Sequence, residues 1–120
     1  MWSGYGVETN AVSVSAAGSG TIKAAYSDNR NVASNYRRDI DRVNVVISTL
    51  TGGTVDLGFG ADGLTNTFFH ADAAGVFPFN FGRPGFRGTA ASAISYTTTG
   101  SAVKVFIEVG HHLVKVATSD

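Results

Sequence analysis

The chain has no cysteine. That excludes disulfides, thiolate metal sites and a cysteine nucleophile. Charge is also scarce. Charged residues make up 15% of the 120 residues, against about 25% in an average domain. Nine basic and nine acidic residues cancel. Nucleic-acid binding needs a basic excess, so the balance argues against it. Low charge with no net charge suits a surface covered by partners better than a solitary soluble monomer. No apolar run approaches the length of a membrane-spanning helix. The start, MWSGYGVETN, has no basic-then-apolar leader, so no signal peptide is expected.

The residues of acid–base chemistry are few as well. His70, His111 and His112 are the three histidines, and Glu8 and Glu108 are the glutamates. His70 and Asp72 would share one face of a strand, while His111 and His112 would point to opposite faces. No third ligand has useful spacing, and three protein ligands is the usual catalytic minimum, so no metal and no cofactor are expected. No Gly-x-Ser-x-Gly elbow occurs. Leu57–Leu64, LGFGADGL, partly matches a calcium-binding nonapeptide. That motif works by stacking tandem copies, and one copy supplies too few oxygens. No catalytic residue is assigned.

What is abundant is glycine and β-branched alternation. There are 15 glycines, where average usage would give roughly eight. Val43, Val45 and Ile47 alternate with more polar residues, as do Val55, Leu57 and Phe59 after Thr51-Gly52-Gly53-Thr54. Gly52-Gly53 can supply the positive φ of a two-residue hairpin, so Arg42–Gly60 reads as paired strands forming one wall of a sandwich. Further strands are expected at Ala11–Ala16, Thr21–Tyr26, Thr67–His70, Val76–Phe81, Ala93–Thr98 and Val103–Val109, with Leu113–Val116 extending or resuming the last. Pro78 marks Val76–Phe81 as an edge strand. Phe68, Phe69, Phe77, Phe79 and Phe81 either fill the interior or line a ligand groove. Ser27–Asp41 is the most polar segment and reads as a long ordered loop. Short strands with turns every eight to twelve residues give a single all-β domain, an antiparallel β-sandwich over residues 11–120 behind an N-terminal arm of residues 1–10.

From Arg42 to Val109 the plan runs RVNVVIS, a glycine turn, TVDLGFG, a loop, VFPFNF, a Gly/Pro loop, AISYTTT and a closing VKVFIEV. This resembles small jelly-roll capsid decoration (cement) proteins of tailed bacteriophages, with VFPFNFGRPGF prompting the comparison most. The resemblance implies a jelly-roll fold and a homotrimer on a capsid surface. It also implies a major capsid protein or other virion protein as partner, synthesis in the host cytoplasm, and no enzymatic role. A receptor- or glycan-binding module of a phage tail is the alternative, since jelly rolls also serve as lectins. A small cupin-like metal enzyme is a third reading and would need a His/Glu cluster inside the barrel.

Three groups of residues are candidates for contact with partners. Val46, Leu50 and Phe106 break the alternation on the second faces of the central strands, as strands buried on both faces do. Arg30, Arg37 and Arg38 concentrate in the polar segment, and Arg is a favoured interface residue. In the arm, Trp2 and Tyr5 either dock on a neighbour or tuck back onto their own domain.

Overall fold

The computed structural model describes residues 6–26, 36–60 and 65–116. These residues form eight strands: β1 (Glu8–Val14), β2 (Gly18–Lys23), β3 (Tyr36–Thr51), β4 (Val55–Phe59), β5 (Thr65–Ala71), β6 (Gly75–Asn80), β7 (Ile94–Thr98) and β8 (Ala102–Lys115). A first sheet has the order β1-β8-β3-β6 and a second the order β2-β7-β4-β5. Every pairing is antiparallel.

The pairing follows one rule. β1 pairs with β8, β2 with β7, β3 with β6 and β4 with β5. The chain runs out through four strands and returns alongside itself. This long ribbon is rolled until β3 meets β8 and β4 meets β7. The result is the eight-stranded double-sheet jelly roll, so the expected fold class is what forms.

The core follows from alternation. Val43, Val45, Ile47, Val55, Leu57, Val103, Val105 and Ile107 are all buried between the sheets, with Phe59, Ile94 and Val109. Each such side chain contributes about 1.5–3 kcal/mol by leaving water. Phe68 and Phe69 are buried too, whereas Phe79 and Phe81 are exposed and Phe77 packs partly against the core. β6 is an edge strand, as Pro78 requires.

Two expectations are corrected. β3 and β4 are not a hairpin, because they lie in different sheets. Thr51-Gly52-Gly53-Thr54 is a corner that zips to the neighbouring β7–β8 corner. The Thr99 amide donates to the Thr54 carbonyl at 2.9 Å and the Ser101 amide to the Thr51 carbonyl at 2.9 Å. Gly52 has φ 67°, and a Cβ on Gly53 would lie 1.9 Å from the Thr99 carbonyl oxygen. The glycine pair therefore serves a close crossing of two corners. The second correction concerns the polar segment. Tyr36–Asp41 is the first part of β3, paired with Leu113–Lys115 and the two adjacent histidines of β8. Its other side is bridged by Phe86, whose amide and carbonyl bond Ile40 at 2.8 and 2.9 Å. Residues 27–35 of that segment lie outside the described residues. The first strand also begins at Glu8, within the stretch assigned to the arm.

Candidate functional site

The outward faces of the two sheets differ in chemistry. On the first sheet, register places Ser13 opposite Phe106, Phe106 opposite Val46, and Val46 opposite Val76. Directly opposed residues touch across a strand pair, so these form one row over all four strands. Phe106 is 39% exposed and Val76 66%. The next row is Ala11, Glu108, Asn44 and Pro78. The result is an apolar band with small neighbours, bordered by an open groove of about 210 Å³ that Ser13, Ser15, Val46, Ser48, Lys104 and Phe106 help to line.

Charges flank this band on both sides along β8. Lys104 is exposed, and its ammonium has no partner among the described residues. Beyond Glu108, the Arg42 side chain lies flat over Gly110, where a Cβ would come within 2.8 Å of its Cγ. From there its guanidinium donates to Thr9 Oγ1 at 2.8 Å and meets Glu108 Oε1 at 3.5 Å.

The second sheet presents a polar row instead. Ser19, Thr97, Asp56 and His70 are successive partners across β2, β7, β4 and β5. The Ser19 and Thr97 hydroxyls are 2.8 Å apart, and His70 Nδ1 lies 2.6 Å from Asp56 Oδ1. The hydrogen bond and the carboxylate charge of Asp56 raise the His70 pKa.

A third cluster, buried at His111, His112, Arg38, Asp39 and Asp41 and open at Glu8 and Arg83, lies at the end of the sandwich where β1 begins. His111 is fully buried, with Nε2 2.7 Å from Asn10 Oδ1, and its Nδ1 has no partner among the described residues. Burial, reinforced by the Arg38 charge, pushes its pKa down to about 4. Glu8, opposite it in register, binds Lys23 at 2.6 Å and meets Arg38 at 3.8 Å. The bond from Lys23 lowers the Glu8 pKa. His112 Nδ1 sits 2.8 Å from Asp41 Oδ2, and Arg83 Nε lies 3.1 Å from Oδ1 of the same carboxylate. Asp39 accepts from Arg37 Nε at 2.8 Å and from the Gly88 amide at 2.9 Å. These groups neutralise one another and tie β1, β3, β8 and the loop after β6 together. Among the described residues no three His, Asp or Glu side chains converge to hold a metal.

The residues singled out from sequence are distributed as follows. Val46 and Phe106 lie side by side on the outward band. Leu50 does not join them, because a bulge between Ile47 and Thr49 turns it onto the core beside Val103. Arg38 is buried and its Nε donates to the Ala24 carbonyl at 3.3 Å, while Arg37 is half-buried and committed to Asp39. Trp2, Tyr5 and Arg30 lie outside the described residues. His70 finds Asp56, a cross-strand partner, at bonding distance. The sequence reading missed that pair, the buried cluster and Val76. Only the alternation of Val76 with Phe77 pointed to an outward valine.

No known protein family matches the chain, and no curated protein does. Among solved structures it is similar to a chain described under "Bacillus endospore appendages form a novel family of disulfide-linked pili". The identity is 14%, the match covers 94% of this chain and 89% of that one, and the TM-score is 0.48. The disulfides named there have no counterpart here, since this chain has no cysteine.

Proposed function

We propose that this protein is a non-enzymatic structural component of a larger assembly, of the phage capsid decoration type that its sequence resembles. The observation that carries the reading is the register row Phe106–Val46–Val76 on the outward face of the first sheet. A jelly roll needs one buried face per sheet, and its outer faces are ordinarily wet. An apolar outer row rimmed by polar residues marks a surface that another protein covers. The opposite face, with Asp56 and His70, has the ordinary polar character of a solvated sheet. Scarce charge with no net charge supports the same reading.

The titratable groups favour a structural role over catalysis. Near the start of β1 the carboxylates of Glu8, Asp39 and Asp41 are taken up by Lys23, Arg37 and His112, and at the surface Asp56 is taken up by His70. The apolar face serves as the docking surface, with Trp2 and Tyr5 as a second contact from the arm. Gold-labelled antibody against this chain, applied to purified particles from its source, tests the reading. Label on heads is expected. Label on tails would favour receptor or glycan binding, and particles free of label would overturn the proposal.

A further inference from the structure

The charges flanking the apolar band specify what can cover it. Lys104, Phe106 and Glu108 are alternate residues of β8 and share the outward face. At about 3.4 Å per residue the ammonium and the carboxylate stand roughly 7 Å to either side of Phe106. This order, cation then ring then anion, is complementary to itself only when reversed. A twofold axis lying between two such faces, along the Phe106–Val46 row and so across the strands, reverses it. We infer that the first sheet packs face to face on the same sheet of a second copy, Phe106 against Phe106, with Lys104 of each copy over Glu108 of the other.

Stacked sheets pack about 10 Å apart with strand directions within about 30°. At 7 Å from the axis that rotation displaces facing residues by roughly 4 Å, well within the reach of a lysine side chain. The small neighbours of the band, Ser13, Ala11 and Asn44, allow close approach. Lys104 has no competing partner among the described residues. Glu108 is held only loosely by Arg42, at 3.5 Å, and has a free oxygen for a second cation. An isologous twofold contact uses one patch twice, whereas a threefold ring needs two different complementary patches. The self-complementary order therefore replaces the threefold symmetry implied by resemblance with a twofold contact.

The inference rests on the reading of this face as a docking surface, and charge reversal separates the two. Sedimentation of the full chain at about 100 μM should show a dimer. Lys104→Glu and Glu108→Lys should each weaken it about tenfold or more, because each turns two attractive contacts per dimer into repulsive ones. Mixing the two variants should restore dimers. The doubly acidic face of Lys104→Glu then meets the doubly basic face of Glu108→Lys, and both cross-contacts are attractive. Unchanged circular dichroism of each variant would show that its fold is kept. A monomeric wild type, or variants that fail to dimerise when mixed, would overturn the twofold contact. Docking on another protein would then still be open, and loss of particle binding by a Phe106→Asp variant would show it separately.

Discussion

Acidification should expose the buried histidine as a weak point of the fold. His111 is fully buried, and with Nε2 directed at Asn10 Oδ1 its Nδ1 carries a lone pair facing no donor. Protonation would bury a charge with no acceptor at Nδ1, and desolvation with the Arg38 charge opposes it more than Glu8 and Asp41 favour it. The folded pKa is about 4, against about 6.5 for an unperturbed histidine. Between these values the unfolded chain binds a proton that the folded chain refuses. Stability from this group is therefore complete above about pH 6.5 and is lost as pH falls toward 4. At about 1.4 kcal/mol per unit, the whole window is worth on the order of 3 kcal/mol, and the part down to pH 5 about 2 kcal/mol. A domain has only about 5–15 kcal/mol in total, so the effect is measurable. Urea unfolding of the wild type and of His111→Gln, at about pH 7 and about pH 5 and low micromolar concentration, isolates it, because Gln cannot titrate. On acidification the wild type should lose about 2 kcal/mol more stability than His111→Gln does. Parallel curves from pH 7 to 5, or a His111 resonance titrating near 6.5, would refute the reasoning.

Other expectations are as direct. His70 should titrate above the ordinary histidine value in an NMR experiment and return toward it in Asp56→Asn, because the Asp56 bond and charge favour its protonated form. Whatever stability that pair gives is complete below about pH 6.5 and fades as pH rises through the folded pKa, opposite in sign to His111. Gly53→Ala should cost at least about 2 kcal/mol in urea unfolding, since the new methyl meets the Thr99 carbonyl at 1.9 Å and two corners must part to admit it. Deleting residues 1–6 should leave the circular dichroism of the sandwich intact while weakening assembly. Equal assembly by the truncated chain would make the arm a mere tail.

Much of the interior was legible in the sequence because strands alternate with a period of two. Val43, Val45, Ile47 and their partners on β4 and β8 announce an inner face without any knowledge of pairing. Pro78 likewise identifies an edge by chemistry alone. Gly52-Gly53 was ambiguous for a physical reason. A tight hairpin and a sheet-to-sheet corner both need positive φ and missing side chains, and only the distant Thr99–Ser101 contact decides between them. Tyr36–Asp41 was unreadable as a strand because its buried charges are compensated from far away. His112 and Asp41 are 71 residues apart. Val46 and Phe106 were legible as breaks in alternation, whereas Leu50 was misplaced by a bulge that leaves no mark in the sequence.

The central claim is that the outward face of the first sheet, and not that of the second, is where this protein meets its assembly. Co-sedimentation with particles stripped of this chain tests it most directly, comparing Phe106→Asp with His70→Ala. The account predicts that Phe106→Asp folds normally but loses binding at least tenfold, because a copy that cannot pair through this face meets the particle once instead of twice, while His70→Ala binds as the wild type does. Full binding by Phe106→Asp together with loss in His70→Ala would place the interface on the other sheet and contradict the account.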